Sequence, residues 1–138
     1  MGKRLYTWLL LSLGVVTGAL AQSVNISGGN EGGVVICAQG YLYAWGTNKG
    51  NRLGLEPQNA SKNPVLEPTK VNTGGLTFSQ VTAGSGSHFV ALSCYNVVYG
   101  WGQNEQGQTG KPCAGSSDVL DVPSPVPCGQ APGYTLDG

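Results

Sequence analysis

The chain has 138 residues, room for one ordinary domain. It holds 23 glycines and 8 prolines, and only 10% of its residues are charged, which suits short strands joined by turns and excludes an architecture of long helices. Beyond Lys3 and Arg4 its five bases (Lys49, Arg52, Lys62, Lys70, Lys111) are scattered, with no stripe to neutralise phosphates, which argues against nucleic-acid binding. Forty per cent hydrophobic residues is too many for a disordered chain.

Residues 1–21 read as a secretory signal peptide. Basic MGKR precedes the apolar LYTWLLLSLGVVTGAL, and Ala19-Leu20-Ala21 is a small-x-small site for cleavage before Gln22. A membrane anchor is the competing reading, but the apolar core is short and broken by Thr7, Ser12 and Thr17. The expectation is a secreted, extracellular or cell-surface chain, periplasmic if bacterial, with no membrane insertion after cleavage. Losing Lys3 and Arg4 leaves five bases against seven acids, a formal charge of −2.

Export lets the four cysteines pair. Cys113 and Cys128 bracket one proline-rich loop, where a bridge would contribute roughly 3 kcal/mol on the loop-entropy estimate. Cys37 and Cys94 would then be the second pair, with free thiols as the alternative. Asn25-Ile26-Ser27 and Asn59-Ala60-Ser61 fit the N-glycosylation sequon.

Laying residues 28–54 over 84–110 needs no gap and sets a repeat period of 56. Tyr43 falls on Tyr99, Trp45 on Trp101, Gly46 on Gly102, Asn48 on Asn104 and Gly54 on Gly110. After a one-residue adjustment, VLEPTKV from Val65 matches VLDVPSPV from Val119. A repeat this long marks one supersecondary unit copied in tandem. The expected units are 22–82, a degenerate first repeat with its outer loop, and 83–138, a second repeat with the start of a third.

Each unit reads as short strands. Thr69 to Val71 suits an outer strand, followed by Phe78 to Val81, Phe89 to Leu92 and Val97 to Trp101, with a tight turn over Ser93 to Asn96 matched by Cys37 to Gly40. Three or four short strands with long outer loops describe a propeller blade. Because strand side chains alternate, Tyr41, Tyr43 and Trp45 share one face, as do Val97, Tyr99 and Trp101. Such faces need a stacked neighbour, so packing between blades is preferred to a ligand platform. Gly46, Gly102, Gly107 and Gly110 suit sharp bends and positive φ, and Asn48 and Asn104 suit holding the turn.

With these residues in view, WGQNEQGQTG (Trp101 to Gly110) resembles the W-G-x-N-x-x-G-Q-L-G signature of the regulator of chromosome condensation repeat family. VTAGSGSHFVAL (Val81 to Leu92) resembles the stretch preceding it, with His88 on the family's histidine. The departures are Thr109 in place of leucine, Gly50 one place early, Asn51 in place of glycine, and Gly32 in place of the first histidine. The first copy also shows no first strand, since QSVNISGGNEGG is polar and glycine-rich. The resemblance implies an all-β fold of antiparallel blades, about two tandem repeats of an incomplete, typically seven-bladed β-propeller. The remaining blades would belong to the same longer chain or to an oligomer. His88 is then a repeat residue with a structural hydrogen bond near a blade turn.

No catalytic constellation, metal-ligand spacing or cofactor motif stands out, so the reading is non-enzymatic with no cofactor. The family's nuclear role does not carry over to an exported acidic chain. The expected function is a secreted or cell-surface binding module for a protein or glycan within a larger protein. The alternatives are an accessory propeller of an extracellular enzyme with a downstream catalytic domain, or a spacer in an adhesin. The contact surface is expected on the unequal loops, Glu56 to Glu67 and Lys111 to Pro127.

Overall fold

The computed structural model describes residues 25–112, 115 and 118–126. The expected signal peptide, Cys113, Cys128 and the start of a third repeat lie outside these residues. Two four-stranded antiparallel sheets make up the fold. The first contains β1 (Asn25–Gly28), β2 (Gly32–Ile36), β3 (Leu42–Gly46) and β4 (Val65–Lys70), in that order. The second contains β5 (Phe78–Ala83), β6 (His88–Ser93), β7 (Val98–Gln103) and β8 (Val119–Pro125). Thr69 and Lys70 thus close the first blade as its outer strand. The sheets divide between Lys70 and Phe78, so β5, placed mostly in the first repeat by sequence phasing, pairs in the second sheet.

The hairpin turns form as their residues require. Gly40 and Asn96 hold φ of 82° and 61°, and their amides donate to the carbonyls of Cys37 (2.8 Å) and Ser93 (3.0 Å). Asparagine is among the few non-glycine residues that enter this left-handed region readily. Cys37 and Cys94 sit at these turns as free thiols, half-buried and exposed. The structure therefore corrects the expected Cys37–Cys94 bridge. Each cysteine is held by its own blade's backbone geometry: Cys37 N donates to Tyr41 O, whereas Cys94 N donates to Thr77 O.

The expectation that the first copy lacks a first strand is also corrected. β1 pairs with β2, and its polar side chains bind the next blade. Val81 N donates to Asn25 Oδ1 (3.3 Å), and Ala83 N donates to Ser27 Oγ (3.0 Å). Ile26 stands opposite Val35 as Val81 stands opposite Ala91, so β1 runs one residue out of step with the period. A one-residue slip exchanges the two faces of a strand. Here it turns Asn25 and Ser27 toward β5 and leaves Ile26 outward, 64% exposed.

The core lies between the sheets. From the first blade come Val34, Ile36, Leu42, Ala44, Leu53 and Leu55, and from the second Phe78, Val81, Phe89, Ala91 and Trp101. Alternation decides this split. Val34 faces Ala44 and Ile36 faces Leu42 on one side of the first sheet; Phe89 faces Trp101 and Ala91 faces Tyr99 on the opposing side of the second. The aromatic face of the second copy thus packs on the aliphatic face of the first. Phe89 and Trp101 stack at 5.3 Å between centroids, and Phe78 meets Tyr99 edge-on at 5.5 Å. In the first copy Trp45 lies across Gly33, on the side away from the second blade.

Trp101 is the largest fully buried side chain among the described residues. Its Nε1 donates to the carbonyl of Leu53 (3.1 Å), and its ring fills the notch beside Gly54, where a Cβ would lie 2.8 Å from Cδ1. Gly54 also holds φ at 71°. The tryptophan of the second phrase thus docks onto the closing glycine of the first. Replacing Trp101 with alanine should cost about 3–5 kcal/mol, as large core truncations do. Urea unfolding followed by Tyr and Trp fluorescence checks this, with a correspondingly lower midpoint expected.

Candidate functional site

The stretch expected as a loop from Glu56 to Glu67 enters β4 at Val65, and Asn48 ties the part before it to the core. Asn48 follows β3 and is 2% exposed. Its Oδ1 accepts from Leu53 N (3.0 Å), closing the turn, while its Nδ2 donates to the carbonyls of Ala60 (3.1 Å) and Lys62 (2.9 Å). Its main-chain N donates to Asn63 Oδ1 (2.9 Å). One side chain thus serves the conserved-shape turn and the loop that differs between copies. A buried carboxamide needs all these partners, because each unmade bond would leave a desolvated polar group.

Asn104 repeats the device at 0% exposed. Its Oδ1 accepts from Thr109 N (3.2 Å) and Oγ1 (2.6 Å). Its Nδ2 donates to Asp118 Oδ2 (2.9 Å) and, at 3.4 Å each, to the carbonyls of Lys111 and Pro112. Thr109, where leucine is usual, therefore exchanges apolar bulk for a second hydrogen bond to the anchor. Asn51, where glycine is usual, takes φ 55° and uses its side chain on Leu55 N (3.1 Å) and on the carbonyls of Leu55 and Asp121 (3.2 Å each). The last of these ties the first blade's turn to β8. Nothing in the apolar pattern signalled that contact.

Beside the loop, a recess of about 400 Å³ lies along β4, lined by Lys62, Asn63, Pro64, Val65, Leu66, Glu67 and Thr69. Leu66 is 88% exposed, the largest exposure among the large hydrophobic residues described. Pro68 lies on the same strand and removes one backbone donor from it. At the loop's base Lys70 Nζ reaches Glu56 Oε1 at 3.5 Å and lies 4.9 Å from the centre of the Tyr41 ring.

Most residues expected to carry the repeat signature are brought together as packing and turn elements. Tyr43 and Trp45 mark the outer face of the first blade, and Tyr99 and Trp101 the buried face of the second. Gly46 and Gly102 (φ 115° and 95°) follow the two tryptophans, at the points where the ladder to the outer strand is irregular. Gly107 and Gly110 turn the chain toward the second loop. A polar clamp escaped the sequence reading: Ser87 Oγ donates to Glu31 Oε2 (2.6 Å), which also meets Arg52 Nη1 (3.1 Å). Glu31 and Ser87 are 56 residues apart, so this clamp joins equivalent points of adjacent blades.

His88 corrects another expectation. No structural hydrogen bond holds its Nδ1, which is buried without a partner among the described residues. Instead the ring lies over Gly84, where a Cβ would be 2.0 Å from Cε1. Burial keeps the imidazole below its usual pKa by penalising the charged form.

Two stacked four-stranded antiparallel sheets, each closed by an aromatic strand and a glycine turn, define a pair of β-propeller blades. Residues 39–92 match the regulator of chromosome condensation (RCC1) repeat, a stretch running from β3 of the first sheet to β6 of the second. The chain belongs to the RCC1-repeat family. It is 36% identical over 103 residues to human probable E3 ubiquitin-protein ligase HERC3, covering 74% of this chain and 9% of that protein. It is 36% identical over 85 residues to mouse RCC1 domain-containing protein 1, covering 61% and 21%. The structure of Prp20p from Saccharomyces cerevisiae superposes with a TM-score of 0.64 at 24% identity, over 78% of this chain and 26% of that one. Human WBSCR16 does so with a TM-score of 0.60 at 23% identity, over 75% and 25%. The chain spans a quarter or less of the curated relatives and about a quarter of the solved structures.

Two expectations follow. Asn48→Ala should cost about 2–4 kcal/mol, the sum of lost bonds and newly unpaired carbonyls. It should also speed proteolysis within residues 59–63 while leaving the second loop unchanged, which limited proteolysis with mass spectrometry reads. His88 binds protons more weakly folded than unfolded, so its contribution to stability is complete above its unfolded pKa of about 6.5 and declines as pH falls through the folded value. Urea midpoints measured from pH 7 to pH 5 should fall less steeply in His88→Gln than in the parent.

Proposed function

We propose that this chain is a non-catalytic, secreted or cell-surface propeller module that binds a protein partner, or failing that a glycan, through the loop from Glu56 to Glu67. The observation that carries the reading is Leu66: 88% exposed, beside a recess, on a strand whose loop is pinned to the core by Asn48. An exposed aliphatic side chain flanked by Lys62 and Glu67 has the make-up of a small protein-binding patch, apolar at its centre and charged at its rim. The second candidate contact is the stretch from Lys111 to Pro127, in which Lys111, Pro112 and Asp118 bond the matching amide ahead of β8.

The Prp20p structure is described with binding to Gsp1p and histones, which supports a protein over a glycan as partner class. The ligase named for HERC3 is not proposed here, because the alignment covers 9% of that protein. Export rests on the basic, apolar and small-residue order of residues 1–21.

A photoreactive amino acid at position 66 provides the test. It should cross-link one discrete partner from extracellular material, and Leu66→Asp should weaken that partner's affinity at least tenfold, about 1.4 kcal/mol, with unfolding unchanged. Affinity untouched by Leu66→Asp and by Lys62→Glu would overturn the assignment of this loop.

A further inference from the structure

The two asparagine-x-serine sequons of the chain meet different treatment from the fold. Asn25-Ile26-Ser27 lies on β1, and Asn59-Ala60-Ser61 lies in the turns that follow Glu56. Both asparagines are half-buried, so exposure does not separate them. Their hydrogen-bond partners do.

At the first sequon both polar side chains are committed to the next blade. Asn25 Oδ1 accepts from Val81 N at 3.3 Å, and Ser27 Oγ accepts from Ala83 N at 3.0 Å. Asn25 also lines a recess together with Gln80, Val81 and Thr82 of β5. A carboxamide is planar, so a sugar on its nitrogen would stand beside the oxygen that faces β5. A bulky, hydrated group there would push the blades apart and leave the Val81 amide a donor without its acceptor.

At the second sequon only the backbone is committed. Asn59 N donates to the carbonyl of Glu56 (2.8 Å), and the Asn59 carbonyl accepts from Lys62 N (3.0 Å). Asn48 Nδ2 holds the carbonyls of Ala60 and Lys62 from the core side. The side chains of Asn59 and Ser61 make no hydrogen bond among the described residues. Pro57, Gln58, Ser61, Lys62 and Asn63 around them are exposed. The turn is thus fixed through its main chain, and a group added at Asn59 Nδ2 displaces no bond of the fold.

We propose that Asn59 carries an N-linked glycan in the secreted chain and that Asn25 does not. The inference rests on the export proposed above, because the sugar donor, an oligosaccharide on a polyprenyl pyrophosphate, is held in the secretory compartment. Asn59 Nδ2 attacks the anomeric carbon of the first sugar. The carbon–nitrogen bond forms, the bond from that carbon to the pyrophosphate oxygen breaks, and the lipid pyrophosphate leaves with the electron pair. The amide nitrogen gives up one proton, and nothing is oxidised or reduced. The Ser61 hydroxyl, two residues on, completes the motif that the transferase reads. Transfer precedes folding, so the fold selects afterwards: it accommodates a glycan at Asn59 and blocks blade pairing in any chain modified at Asn25.

The test produces the full chain in cultured animal cells, once with its own residues 1–21 and once with these replaced by a leader of proven secretion. Peptide N-glycosidase in heavy-oxygen water converts each occupied asparagine to labelled aspartate. Peptide mass spectrometry of medium and cell membranes then reads Asn59 and Asn25 separately. The secreted chain should carry the label at Asn59 and none at Asn25. Asn59→Gln and Ser61→Ala should each abolish the gel shift that the glycosidase removes, and Ser61→Thr should keep it. A secreted chain unlabelled at Asn59, or labelled at Asn25, would overturn the proposal. Where neither leader brings the chain to the medium, an unlabelled Asn59 in the membrane fraction overturns it equally, and a labelled one supports it. A chain labelled at Asn59 that only the replacement leader exports would contradict the export reading and leave the site standing.

Discussion

The fold depends on one dry contact between blades, the Trp101 indole seated over Gly54 with its N–H on the Leu53 carbonyl. A single four-stranded sheet has two faces and cannot bury either by itself. Trp101 supplies the apolar area that joins two such sheets, and its N–H satisfies a carbonyl that the contact would otherwise desolvate. The glycine is as necessary as the ring. Any side chain at position 54 would meet the indole, and would also have to accept φ 71°. Packing, backbone conformation and hydrogen bonding converge on these residues, which is why the phrase that contains them is written twice.

The same phrase positions the variable parts. Between the tryptophan and the closing glycine stands the asparagine, buried behind its turn and bonded to the loop that follows. Loops of unequal length and composition are thereby held by equal anchors. A propeller built this way can change its contact surface without disturbing its core, because each anchor bonds backbone carbonyls of its loop, joined in the second copy by the Asp118 carboxylate. Leu66, exposed on β4 beyond the first anchor, is where that freedom is visible in this chain.

Much of this was legible from residues alone. The 56-residue period, the aromatic strand face and the left-handed turns at Gly40 and Asn96 all follow from alternation and turn chemistry, and the structure contains them; the outer strand, expected over Thr69 to Val71, begins four residues earlier at Val65 and ends at Lys70. β1 was not legible. Asn25 and Ser27 are polar, and their role is to accept from backbone N–H groups of β5, a partner more than fifty residues away. Apolar periodicity carries no trace of a strand stabilised in that way. At Cys37 and Cys94 the residues left a bridge and free thiols both open, and the structure holds free thiols: near-periodic spacing places two residues on equivalent turns but does not bring their sulfurs together. Asn51 was visible as a departure from the repeat, but its bond to Asp121 spans 70 residues and depends on how the second blade's outer strand lies.

A double-mutant cycle between Gly54→Ala and Trp101→Leu measures the interlock most directly. If the indole occupies the notch, alanine at 54 clashes with it in the parent and loses that clash once the ring is gone, keeping only the cost of its φ. The two substitutions should then be non-additive by about 1–2 kcal/mol, the double variant being more stable than the sum of the singles predicts. Additivity within about 0.5 kcal/mol would mean that the glycine serves the turn alone, and the account of the repeated phrase as a lock between blades would be wrong.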